Sequence, residues 1–193
     1  MRSSSDYKEE RMAQPTGAGA ARYEAPNGTE TFTFRDNGIV PNNPSLPLVV
    51  RRAVIQPSPV DPAKSFKDIF ARNGWTNAWL GTIHDYHHYH PNTHEVLGVA
   101  SGSGSVRFGG EDGQLVAIAA GDVVVIPAGV AHALINSSSD FAVVGAYPGG
   151  SDYETLRDDP SLLANAQKRI AGVPLPDMDP VDGAGGPLTK AWS

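Results

Sequence analysis

HYHPNTHEVLGVASG, residues 88–102, carries the spacing on which both fold and site depend. Residues two apart in a β-strand share a face, so His88 and His90 present two imidazoles to one side, about 7 Å apart along the backbone. Pro91 and Asn92 supply a turn. Glu95 then opens a new run whose alternation puts Glu95, Leu97 and Val99 on one face. If that face is the inner one, a carboxylate joins the two imidazoles. A second stretch, GDVVVIPAGVAHALIN at residues 121–136, offers another donor: His132 follows a strand and a turn closely enough to begin an inward-facing strand with Leu134 and Asn136. Gly102, Gly121 and Gly129 read as turn formers, in conformations other residues adopt only at a cost.

All six histidines lie between His84 and His132, and cysteine is absent. Disulfides, thiolate nucleophiles, iron–sulfur ligation and cysteine zinc sites are thereby excluded, so a metal here must use His and carboxylate. Three neutral imidazoles and one carboxylate, from His88, His90, His132 and Glu95, suit one divalent Fe, Mn, Ni, Co, Cu or Zn ion. Mg and Ca prefer oxygen shells. His84 and Tyr86 share the alternation of His88 and His90. If the strand is unbroken they face the cavity as candidate catalytic residues that orient substrate or move protons; a β-bulge would turn them outward to fill the barrel mouth. His87 alternates away from the site. His94 should point opposite to Glu95 and could replace it only through a register shift. Asn136 reads as a structural hydrogen-bonding residue, and Phe108, Trp75 and Trp79 as core.

Working outward, Trp75 to Tyr147 is a series of short β-type runs broken by Gly, Asn, Asp and Pro, beginning with WTNAWLGTIHDYHHYH, which argues for an all-β sandwich or barrel. Upstream, Phe32 and Phe34 alternate with polar residues, and Pro47 to Ile55 is a β-branched run apolar enough to form a sheet edge that pairs with a second subunit as a homodimer. Between them and the barrel, Asp61 as cap, Pro62 at the first position, the shared face of Phe66, Ile69 and Phe70, and Gly74 as stop predict a short helix near 62–73. After Pro148 the pattern turns helical again, from Asp159 to Gly172 with Leu162, Leu163, Ala166 and Ile170 on one face. The final Pro- and Gly-rich stretch is expected to be an extended arm. Residues 1–29 bury too little apolar surface to offset ordering and read as a flexible tail. The domain reading is therefore tail (1–29), barrel (30–149), and C-terminal helix with arm (150–193).

With 193 residues the chain suits one domain. A net charge of -6 gives no attraction to nucleic acid or anionic lipid. Neither a signal peptide nor a membrane span is evident, and the cytoplasm is the expected location.

The two quoted stretches resemble the cupins. The first cupin motif has two histidines separated by one residue, then a glutamate, then a glycine after six intervening residues; His88, His90, Glu95 and Gly102 match, and only the opening glycine departs, because Gly81 sits one position early. Gly121, Pro127, Gly129, His132 and Asn136 match the second motif throughout. Surrounding segments, among them NGIVPNNPSLPL, NGWTNAWL and VPLPDMDPV, are similar to the small single-domain cupins of the YjlB type. The resemblance implies an RmlC-like jelly roll, a double-stranded β-helix with flanking short helices, and the four matched side chains as metal ligands.

Four protein ligands on an octahedral ion leave two adjacent positions for a small oxygen-bearing substrate. That suits a dioxygenase-type oxidoreductase; it equally suits Lewis-acid isomerase, decarboxylase or lyase chemistry. The opposing class is a non-catalytic small-molecule-binding module, which the same barrel can host. A DNA-binding regulator is disfavoured, since no helix-turn-helix pattern precedes the barrel.

Overall fold

The computed structural model describes residues 21–24 and 28–193. Its strands follow from alternation. In β1 (Ala21–Glu24), β2 (Thr29–Phe34) and β3 (Asn43–Arg51) the chain runs up and down at one side of a sheet; helix α1 (Pro62–Arg72) follows. The barrel is completed by β4 (Trp75–Gly81), β5 (His88–Tyr89), β6 (Glu95–Ser101), β7 (Ser103–Phe108), β8 (Gln114–Ala119), β9 (Val123–Ile126), β10 (His132–Ser137), β11 (Ala142–Pro148) and β12 (Leu156–Arg157). A 3₁₀ turn at Pro160–Leu162 leads into α2 (Leu163–Ile170), and α3 (Pro187–Ala191) closes the chain. The strands form two antiparallel sheets, ordered β1-β2-β3-β9-β6-β11-β4 and β12-β5-β10-β7-β8. This is the double-stranded β-helix of an all-β jelly roll.

Between the sheets lies the main core. Phe32, Leu48, Leu97 and Val99 of the larger sheet meet Val106, Phe108, Val116 and Ile118 of the smaller. On β6 the alternation is legible residue by residue: Leu97 and Val99 point inward, while Val96 and Ala100 join a second core on the outer face. There α1 lays Phe66 and Phe70 against the sheet, and each fully buried large side chain contributes roughly 1.5–3 kcal/mol. Gly98 permits the approach, because a Cβ there would stand 2.1 Å from the Phe66 ring. Asp61 caps α1 by accepting from the Lys64 amide at 3.0 Å. The motif glycines Gly102, Gly121 and Gly129 have φ of +65°, +96° and +89°, the left-handed conformation their turns need.

Several expectations change. The run from Trp75 to His90 is not one strand: β4 ends at Gly81 in the larger sheet, and the chain crosses to the smaller one before β5. His84 and Tyr86 therefore sit on a connection, and strand alternation does not govern them. β3 is no edge, since β2 and β9 flank it on either side, so the homodimer loses the surface on which it rested. The Pro/Gly-rich arm does not stay extended: α3 docks Leu188 and Trp192 on the outer core, and the Trp192 indole donates to the Pro47 carbonyl at 2.8 Å. Within 1–29, Ala21–Glu24 forms β1 and pairs with β2, and Thr29 opens β2; residues 1–20 and 25–27 lie outside the described ones. Asn136 is turned to solvent by a register shift between Leu134 and Asn136 on β10. Among the described residues no helix is long and apolar enough to cross a membrane.

Candidate metal centre

Three histidines come from the smaller sheet. His88 on β5 and His132 on β10 are direct cross-strand partners, which brings their ring centroids to 4.1 Å. His90 follows β5 immediately, two residues from His88. One nitrogen from each of the three rings lies within 4.8 Å of the others, and all three residues are buried. Glu95 comes from the opposite sheet, at the first position of β6, so the group spans the space between the sheets. Its Oε2 is 3.4 Å from Nε2 of His90 and 3.5 Å from Nε2 of His132.

Each imidazole has a fixed tautomer. Nδ1 of His88 donates to the Tyr86 carbonyl at 3.1 Å, Nδ1 of His132 to the Val130 carbonyl at 3.1 Å, and Nδ1 of His90 to the Glu154 carbonyl at 2.8 Å. A carbonyl only accepts, so the proton is on Nδ1 and the Nε2 lone pair is free in the neutral ring. On the facing side, Glu95 Oε1 accepts from the Tyr147 hydroxyl at 3.1 Å, and that hydroxyl accepts from the Trp79 indole N–H at 2.9 Å. Oε2 is buried and accepts no hydrogen bond of acceptable geometry from any described residue. A carboxylate oxygen left bare beside three inward lone pairs is costly unless a cation faces it. The three imidazoles could hold a divalent transition-metal ion, and Glu95 faces two of them with a carboxylate oxygen.

Electrostatics agree with that fit. Burial, then the neighbouring His132, pushes His88 down to about 2, so it stays neutral. Burial also opposes charge on His90, but the Glu95 carboxylate outweighs it and the pKa is raised. Burial would raise Glu95, yet His90 and His132 hold it below the usual carboxylate range. The two shifts favour a charged His90 facing a charged Glu95. Tyr147 is pushed up by burial and by Glu95, so it remains a donor.

A cavity of about 260 Å³ opens over the ligands, with Leu97, Ile83 and Trp79 in its walls and His84, Thr82, Tyr153 and Thr155 toward solvent. His84 thus reaches the cavity. Tyr86 does not line it; its ring stacks on His84 with centroids 4.7 Å apart, and the Arg157 guanidinium lies 4.0 Å above its centroid. His87 sits 3.4 Å from Glu111, away from the group. His94 is also elsewhere: its Nδ1 accepts from the Ala128 amide at 2.9 Å and its ring packs on Trp192, so the register that would make it a ligand is not adopted.

Sequence reasoning missed Tyr147, Tyr153 and the role of Trp79, which is more than core. Trp79 and Gly145 are register partners on β4 and β11, and a Cβ at 145 would stand 2.2 Å from the indole; glycine there lets the indole lie across β11 and reach Tyr147. The phrase FAVVGAY contains both residues, but nothing local in it signals a partner 68 positions away. Tyr153 stacks on Tyr147 with centroids 4.6 Å apart and presents an edge to His90.

Residues 79–144 match the Cupin domain family model. Among solved structures, an acireductone dioxygenase from Bacillus anthracis with a cadmium ion in its active centre is 21% identical, with a TM-score of 0.34 over 47% of this chain and 61% of that one. The Mn(II)-containing oxalate decarboxylase of Bacillus subtilis is 17% identical, with a TM-score of 0.33 over 70% of this chain and 30% of that one. The uncharacterized protein YjlB of Bacillus subtilis (strain 168) is 42% identical over 164 residues, 85% of this chain and 96% of that protein. With that identity over nearly the whole of the relative, and both histidine motifs in place on the barrel, the chain belongs to the cupin superfamily as a YjlB-type protein.

Proposed function

We propose that the chain is a metal-dependent enzyme, a dioxygenase-type oxidoreductase acting on a small oxygen-bearing molecule, with His88, His90, Glu95 and His132 holding one divalent transition-metal ion. The observation that carries this is the pairing of three tautomer-locked imidazoles with a bare, buried Glu95 Oε2 at the floor of a cavity. When bound, such an ion supplies dioxygen activation or Lewis-acid polarisation of a carbonyl. The chain's own residues do the rest. Tyr147 aims Glu95 by occupying Oε1, and Trp79 fixes the hydroxyl that does so. Leu97, Ile83 and Trp79 exclude water from the cavity wall. His84 stands where an imidazole can pass a proton between cavity and solvent, and Tyr86 with Arg157 holds its ring by stacking behind it. Lewis-acid isomerase, decarboxylase or lyase chemistry is the second reading, because a proton carrier at the mouth serves it equally.

The test is elemental analysis of protein purified without a His tag, beside His132→Ala, followed by substrate-dependent oxygen uptake. About one equivalent of Fe, Mn, Ni, Co, Cu or Zn that vanishes in the variant is expected. Fe with oxygen uptake supports the oxidoreductase, and Zn without it supports the Lewis-acid alternative. Failure to bind any ion after incubation with excess Fe(II), Mn(II) or Zn(II) would leave a metal-free binding module.

A further inference from the structure

Away from the candidate metal ligands, the cavity has aromatic and aliphatic walls, with Thr82, His84 and Thr155 at the mouth. Trp79, Ile83, Leu97, Tyr147 and Tyr153 make its walls, and no Lys or Arg is among the described residues lining it. The guanidinium of Arg157 is taken up over the Tyr86 ring, outside the lining. With three neutral imidazoles and one carboxylate around a divalent ion, a single net positive charge faces the cavity. A ligand bearing one negative charge on its chelating oxygens closes that charge to zero. A dianion would leave one negative charge in the cavity with no Lys or Arg among the described lining residues to meet it, which is disfavoured.

Size and shape narrow the class further. About 260 Å³ lies just below the usual range of ligand cavities, which begins at roughly 300 Å³, and so suits only a small ligand. The Tyr147 and Tyr153 rings stack at 4.6 Å with 21° between their planes, so the wall beside His90 is itself a layer of rings. Such walls favour another flat ring in stacked or edge contact.

We propose that this cavity takes a planar, single-ring molecule whose adjacent oxygens chelate as a monoanion, a hydroxy-ketone or enolone, and that it discriminates against small dicarboxylates. The assignment rests on the metal centre proposed above.

The experiment uses the full-length protein loaded with Co(II), with uptake confirmed by elemental analysis and by the visible spectrum of the bound ion. Calorimetry then measures association of maltol, a hydroxypyranone that chelates as a monoanion, and of oxalate. Each constant is divided by that ligand's constant for aqueous Co(II), which removes the intrinsic chelating strength. The ratio for maltol should exceed that for oxalate by about tenfold or more, a difference well resolved by titration. Tyr153→Ala should lower the maltol ratio about fivefold and leave oxalate unchanged. Thr155→Lys, at the exposed rim, should raise the oxalate ratio by about tenfold by supplying the missing cation. Equal ratios for the two ligands in protein that holds Co(II) overturn the ligand class and leave the metal centre standing. Absence of Co(II) uptake overturns both.

Discussion

The two sheets contribute to the candidate metal site in different ways. On the smaller sheet, backbone carbonyls set the imidazoles, and for His88 and His132 the carbonyl belongs to the residue two positions earlier. On the larger sheet, side chains set the carboxylate, through a chain running from Trp79 to Tyr147 to Glu95. A backbone carbonyl survives substitution of its own residue, whereas Tyr147 can be deleted. The histidine side is therefore robust to substitution, and the carboxylate side is where affinity can be tuned.

The sharpest break of that comparison is Glu95→Ala, which should weaken metal binding by more than about 100-fold, since loss of a ligand exceeds the range for loss of its supporting partner. Competition with a calibrated chelator reads it, and near-normal affinity would remove Glu95 from the ligand set. Tyr147→Phe should follow with a loss of about 10- to 100-fold, because Glu95 Oε1 and the Trp79 N–H both lose a buried partner. Its stability cost, about 1–3 kcal/mol for the groups left unsatisfied, should appear in denaturant melts of the metal-free protein.

Proton competition ranks third. In the metal-free protein the pKa of His90 is raised above 6.5 by Glu95, so uptake of an ion expels that proton. Affinity should rise about tenfold per pH unit as pH climbs toward the raised value and level off beyond it, and calorimetry in buffers of different ionisation enthalpy should count about one proton. For stability the signs are opposite. The raised His90 contributes to the metal-free fold at low pH and loses that contribution as pH rises through its folded value. The lowered Glu95 contributes above the ordinary carboxylate range and loses its part as pH falls through its folded value.

The smallest effect sharpens the comparison from the histidine side. Glu154→Ala removes an exposed ion pair with Arg169 but keeps the carbonyl that holds His90. Metal affinity should change less than about twofold, because exposed pairs contribute little. A loss as large as that of Tyr147→Phe would mean that side chains govern both halves.

The same division explains what the sequence made legible. His88, His90 and His132, which the fold brings together, could be named as candidates because strand alternation and turn chemistry are local, and the residues fixing two of the three imidazoles lie two positions away. The barrel class was legible for the same reason, from short apolar runs between turn residues. Tyr147 and Trp79 were hidden: their roles arise only when β4 and β11 pair, and an aromatic in a β-branched run reads as core. His84 and Tyr86 were placed by an alternation that stops at Gly81, where the chain changes sheets, and no residue from 82 to 87 announces that crossing. The edge assigned to β3 failed because an apolar strand looks alike at a border and in the interior.

β12 draws the boundary of the working unit. The family model ends at residue 144, and a chain cut after Gly149 would still possess every candidate metal-ligating side chain. It would lose the Glu154 carbonyl behind His90, the Tyr153 ring and the pairing of Leu156 and Arg157 with β5. Inheritance of the candidate ligands and inheritance of the site are thus different things in this molecule: the smallest piece able to pass on the whole site extends past residues 79–144, the part that the Cupin domain model matches.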